Sequence, residues 1–205
     1  MDVARPLRVI SNETADSRLE KDADEALFLR VGKGDALAYR QLLARHGARQ
    51  KAFAHRLLGN AADAEEVVQE LFLRIWREAP RWQPGRAKFT TWLYKVMTNL
   101  CIDRKRRPPP PTVATVPDRP DEGPLADGLM AQQQEADRLR GYMAQLPERQ
   151  RIAISLCYFE EMSNRDAADL LNLHLGALES LLSRGRATLK KLMLQDEEGV
   201  SDANA

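Results

Sequence analysis

KFTTWLYKVMTNLCIDRKRR, from Lys88 to Arg107, and MSNRDAADLLNLHLGALESLLSRGRATLKKL, from Met162 to Leu192, decide how this chain is expected to fold. In the first, apolar residues at three- and four-residue steps run into a basic cluster, the pattern of an amphipathic helix with a cationic end. The second is a short amphipathic segment, a break at Asn172-Leu173-His174 and a longer amphipathic segment, which reads as a helix-turn-helix. Between the two lies PPPPTVATVPDRPDEGPLADG, from Pro108 to Gly128, with many prolines and almost no large apolar side chain. Such a strap cannot bury enough surface to fold alone. It is expected to be extended and semi-stiff, spanning up to ~3 Å per residue.

Apolar periods of three and four continue on both sides, and no segment alternates like a strand. The fold class is therefore all-α, with two small helical domains joined by a flexible Pro-rich linker. We expect a flexible N-terminal extension over 1–23, a first module over 24–107, the linker over 108–134, a second module over 135–195 and an acidic tail over 196–205. In the first module the periods predict helices over Asp24–Gly32, Asp35–His46, Ala48–Leu58, Ala62–Glu78 and Phe89–Arg107. Asp35 is placed as an N-cap and Gly59 as a left-handed stop. In the second, helices are expected over Gln132–Gln145, from Pro147 onward, after Ser163 as N-cap, and from the Asn172 turn to about Leu194. There Leu175, Leu178, Leu182 and Leu189 make the expected buried stripe.

The near-neutral net charge of +1 hides a segregation. Residues 25–107 hold 17 basic against 8 acidic side chains, whereas 108–134 hold 1 against 4 and 196–205 hold none against 4. The first module is thus the electrostatic partner for a polyanion. No apolar run approaches the ~20 residues of a membrane span, and the first residues lack the apolar stretch of a signal peptide. A cytoplasmic protein with no membrane insertion is expected, with Cys101 and Cys157 as reduced thiols. His46, His55 and His174 share no ligand spacing with one another or with the cysteines, so no metal site is expected. No nucleophile–base arrangement stands out, so the chain reads as a binding protein and not an enzyme.

DAEEVVQELFLRIW (Asp63–Trp76), FTTWLYKVMTNLCIDRKRR (Phe89–Arg107) and LPERQRIAISLCYFEEMSNRDAADLL (Leu146–Leu171) together resemble the extracytoplasmic-function sigma factors of bacterial RNA polymerase, in order and spacing over about residues 24–195. The resemblance implies an alternative sigma factor that docks on core RNA polymerase, melts and reads a minus-10 element with its first module (region 2), and reads a duplex minus-35 element with its second (region 4). It further implies transcription initiation in a stress response under control of an anti-sigma factor, and a chain that is monomeric when free.

Asp63, Glu66, Gln69 and Glu70 form a polar stripe beside an apolar one, which suits either a solvated face or a docking face; the resemblance implies polymerase docking. Trp82, Arg86, Lys88, Lys95, Asn99, Asp103, Arg104 and Arg106 are the minus-10 candidates. Unpaired bases need aromatic surfaces and their phosphates need cations, and Asn99 is a suitable reader of adenine. Trp92 fits either the core or a stacking surface. For minus-35 recognition the candidates are Arg165, His174, Ala177, Glu179, Ser180, Leu181 and Arg184, on the outward side of the helix-turn-helix. Glu179 and Leu181 depart from the family, which usually places basic residues there. Glu179 then either accepts from a cytosine amino group or is a surface charge paired with Arg186 or Ser183. A stand-alone duplex-binding regulator, or a sigma mimic that sequesters an anti-sigma factor, would share the helix-turn-helix; the aromatic-basic helix argues against the first and the intact Arg104–Arg107 cluster against the second. Whether the two modules pack together, hiding their DNA faces, or stand apart is left open by a strap of this composition.

Overall fold

The computed structural model describes residues 23–83, 85, 88–107 and 127–203, and every regular element among them is helical. The extension over 1–22, Arg86, the strap over 108–126 and the last two residues of the tail lie outside the described residues. The first module contains α1 (Asp24–Val31), α2 (Ala36–Leu58), α3 (Ala61–Glu78), a 3-10 turn (Ala79–Arg81) and α4 (Phe89–Arg106). The second contains α5 (Asp127–Gln145), α6 (Glu148–Ile154) running into a π turn (Ser155–Phe159), α7 (Asn164–Leu171) and α8 (Leu175–Ala203).

Local chemistry sets most of the ends. The Asp35 side chain accepts from the amides of Leu37 and Ala38 at the start of α2, and Gly59 ends that helix at φ +75°. Asn60 caps α3 through the Asp63 amide, and Ser163 caps α7 through the Asp166 amide. Asn172 takes the left-handed turn between α7 and α8 at φ +52°, a conformation that asparagine tolerates better than most residues.

Four expectations on extent and burial are corrected. The two helices expected on either side of Gly47 are one helix, α2. A single interior glycine costs only ~1 kcal/mol, and the buried face formed by Leu42, Gln50, Phe53, Ala54 and Leu57 runs on past it. The linker gives up residues 127–134 to α5, because no proline follows Pro124 in that stretch. Likewise α8 continues to Ala203 and takes in most of the acidic tail, where no proline stops it. Leu175 is exposed while Leu181 is partly buried against the core. The buried line of α8 is Leu178, Leu182 and Gly185, so Leu181 flanks it and Leu175 stands ahead of it.

In the first module Leu27, Phe28, Leu42, Phe53, Leu71, Ile75, Phe89, Leu93 and Met97 are all fully buried. In the second, Met143, Leu146, Ile152, Leu156, Ala167, Leu178 and Leu182 fill a smaller core. Gly185 lets α8 approach α6: a Cβ there would stand 2.6 Å from Cδ1 of Ile154. Both cysteines are free thiols; burial pushes the Cys101 thiol up to about 12 and raises that of Cys157 as well. Among the described residues no helix is long and apolar enough to cross a membrane.

The modules pack against each other through a seam in which Leu57, Cys101 and Ile102 of the first line a common pocket with Ile152 of the second, and polar groups pair beside it. Glu160, at the end of the π turn, has a side chain only 1% exposed. Its carboxylate accepts from Nε of Arg49 at 2.6 Å, from Arg56 and from the Tyr94 hydroxyl, all three on the first module. The Arg56 guanidinium also lies 4.6 Å from the centre of the Phe159 ring. Nearby, the buried Arg151 donates to the carbonyls of Leu57 at 2.9 Å, Ala144 at 2.6 Å and Leu146 at 2.9 Å. These carbonyls belong to the C-terminal ends of α2 and α5, which have no acceptor-satisfying partner within their own helices. One guanidinium thus closes a helix end in each module, with its charge at the negative pole of both.

Candidate functional site

The acidic candidates lie on α3, where the apolar period buries Val67, Leu71, Phe72 and Ile75 and turns the intervening residues outward. Glu66 and Gln69 are exposed and Asp63 and Glu70 half-exposed. They do not stand alone. Arg104, on α4, donates from Nε and Nη2 to Oδ1 of Asp63 at 2.9 and 2.5 Å, and from Nη1 to Oε1 of Glu66 at 3.0 Å. A cleft of 360 Å3 between α3 and α4 is lined by Glu66, Gln69, Glu70, Leu73, Asp103, Arg104 and Arg107 among others. Glu66, Gln69 and Glu70 of the docking candidates therefore meet Asp103 and Arg104 of the minus-10 candidates along one cleft, and Arg104 ties the two helices together.

On α4, Lys95, Asn99, Asp103 and Arg106 are all exposed, and their four- and three-residue steps put them on one face. Lys88 is exposed at the N-cap position without a side-chain cap of its own. The helix start is instead capped from a distance: Oε1 of Glu25 on α1 accepts from the Phe89 amide at 3.0 Å, placing a carboxylate at the positive pole of α4. Trp82 is half-buried in an aromatic cluster. The Phe28 ring lies 5.1 Å from Trp82, 4.9 Å from Phe89 and 5.1 Å from Trp92, centre to centre. Trp92 stands 5.9 Å from Trp82 in a T-shaped pair, so it is a packing residue of this cluster. Trp76, apolar but near the end of α3, is 42% exposed and meets Tyr39 edge-on at 5.3 Å. With Leu73, also exposed, it adds an apolar margin to the α3 face; neither was distinguishable from core by period alone.

On the second module the start of α8 is open to solvent. His174, Ala177, Glu179, Ser180 and Arg184 are exposed, as is Arg165 on α7. Nε of Arg184 donates to the Ser180 carbonyl at 3.2 Å and lies along its own helix. No ion pair joins Glu179 to Arg186 among the described residues. The packed arrangement of the modules therefore leaves the exposed faces of α4 and α8 uncovered.

Two unlike helical modules, one with an aromatic-basic helix and one with a helix-turn-helix, define the class, and comparison with known proteins agrees. The chain matches the family models for sigma-70 region 2 over residues 42–108 and sigma-70 region 4 over residues 136–189. It is 30% identical over 172 residues to the ECF RNA polymerase sigma factor SigW of Bacillus subtilis, covering 78% of this chain and 91% of that one. The solved structure of CnrH in complex with the cytosolic domain of CnrY superposes with a TM-score of 0.66 at 27% identity, over 85% of this chain and 99% of that one. RpoE from Bartonella quintana, solved in complex with the anti-sigma factor NepR, shares the fold with a TM-score of 0.60 at 22% identity, over 76% of this chain and 96% of that one. The chain belongs to the ECF RNA polymerase sigma factors, a family of transcription regulators.

Proposed function

We propose that this chain docks on core RNA polymerase through Asp63, Glu66, Gln69 and Glu70 and directs initiation at promoters with two elements. Lys88, Lys95 and Arg106 hold the phosphates of the melted minus-10 strand while Asn99 and Asp103 meet base edges. Arg86 adds a further cation to that strand. Trp82 supports the loop beside the bases, and Arg104 links the docking face to the DNA face. In the second module Ala177, Glu179 and Ser180 read the major groove of the minus-35 element, flanked by Arg165, His174 and Arg184, while Leu181 packs against the core behind them. Melting is driven by binding energy for the open strand, with no catalysis or cofactor. The protein works in the cytoplasm, as a monomer until it meets polymerase. An anti-sigma factor holds it inactive; the likeness to CnrH, solved with the cytosolic domain of CnrY, supports control by a second protein.

The observation that carries this reading is the pair of solvent-open faces on separate modules: the α4 stripe beside the cleft it shares with α3, and the start of α8. The test is run-off transcription with purified core polymerase. Adding the chain should give a single start site on a template bearing both elements, and scrambling the minus-35 element should cut that transcript by roughly tenfold, the factor that ~1.4 kcal/mol of lost binding brings. Absence of start-site selectivity, or indifference to the scrambled element, overturns the reading. Glu179→Ala should flatten preference at one minus-35 base pair by roughly fivefold or more, since a good base contact contributes ~1–3 kcal/mol of discrimination. An unchanged preference assigns Glu179 to the helix surface.

A further inference from the structure

The seam has a feature that packing alone does not require. Glu160 is a buried carboxylate on the second module whose three side-chain partners, Arg49, Arg56 and Tyr94, all belong to the first. The backbone is bent to deliver it. The π turn over Ser155–Phe159 precedes it, and Glu161 follows at φ +55°, a left-handed conformation uncommon outside glycine and asparagine. Single π turns inside helices concentrate at functional positions.

Magnitudes show why this closure must be reversible. A compact chain of 205 residues has a radius of gyration of about 17 Å, hence a diameter of about 45 Å. Elements centred at minus 10 and minus 35 are about 25 base pairs apart, which at 3.4 Å each is about 85 Å of duplex. A closed chain cannot lie on both. The seam is suited to opening. The polar groups it would release are three guanidinium ions, a carboxylate, a phenol and a helix-end carbonyl, and water satisfies all of them. In a buried ion pair desolvation offsets much of the Coulomb attraction, so the closed form is only modestly favoured, and removing one partner leaves the remaining charges buried and uncompensated.

We propose that Glu160 is a latch: its carboxylate, bonded to Arg49, Arg56 and Tyr94, holds the free chain closed, and both promoter elements are reached only after those bonds part. The proposal rests on the two-element reading above. A closed majority lowers apparent affinity for any target that takes the open form, in proportion to the open fraction.

The test is small-angle X-ray scattering on the full chain, with circular dichroism as the folding control, for wild type, Glu160→Lys and Arg49→Glu. Each variant should keep its helical signal and expand by a quarter or more in radius of gyration. In run-off transcription each should reach half-maximal product at a three- to tenfold lower chain concentration. A folded Glu160→Lys chain as compact as wild type overturns the latch. Should Glu160→Lys lose helical signal, Arg49→Glu decides, because the Arg49 side chain is half-exposed and its replacement leaves both cores intact. Expansion without a shift in the transcription curve overturns the restraint on function. A wild-type chain without promoter selectivity overturns the two-element reading, while scattering still decides whether Glu160 closes the chain.

Discussion

Phe28→Ala is expected to lower the unfolding free energy by about 3–5 kcal/mol, the range for truncating a buried aromatic side chain. The ring is fully buried and lies at the centre of the cluster formed with Trp82, Phe89 and Trp92. Removing it forfeits three aromatic contacts, each worth ~0.5–1.5 kcal/mol beyond its buried area, and opens a cavity that two tryptophans are too large to close. A domain of this size has only about 5–15 kcal/mol in total, so the thermal midpoint should fall by more than ~10 °C. The cluster also ties Trp82, just after the 3-10 turn, to Phe89 and Trp92 in the first turn of α4. Promoter opening should therefore suffer more than polymerase binding at temperatures where the variant is still folded. Thermal melts followed by circular dichroism check the first expectation. A fall of less than ~4 °C would mean that the cluster anchors nothing.

The double variant Gln69→Ala, Glu70→Lys should weaken binding to core polymerase by at least ~100-fold, about 2.7 kcal/mol, without unfolding the chain. Glu70 pairs with Arg74 one turn along α3 at 3.0 Å, and both side chains are about two-fifths exposed. Losing such a surface pair changes stability by less than ~1 kcal/mol, and the like-charge contact with Arg74 that replaces it costs a few tenths. The charge of the cleft edge, by contrast, reverses at that position. Gel filtration of the variant with core enzyme, beside a melting curve, separates the two effects. Co-elution equal to wild type would remove Gln69 and Glu70 from the docking face.

These two positions differ in how far they could be read in advance. The polar stripe on α3 follows from period alone, as do the exposed stripe on α4 and the caps at Asp35, Ser163 and Asn172, because each depends on residues within one or two turns. Gly47 misled for the same reason: a lone glycine is a local signal, but the helix through it is held by a buried face extending over 23 residues. Leu175 misled because period identifies an apolar position without saying whether anything lies opposite it. Phe28 gave no hint of its central place, since its partners are 54, 61 and 64 residues further along. The same holds for Glu25, which caps α4 across 64 residues.

The helices, their caps, the segregation of charge and the family motifs were determined by the sequence by itself, because each is a short-range property of spacing and side-chain type. The joining of Arg104 to Asp63 and Glu66, the aromatic cluster around Phe28, and above all the seam were decided only by the tertiary structure. Glu160 meets Arg49 across 111 positions and Tyr94 across 66. Whether a charged side chain ends in water or in such a contact depends on what the rest of the fold brings to it, and no local pattern carries that information.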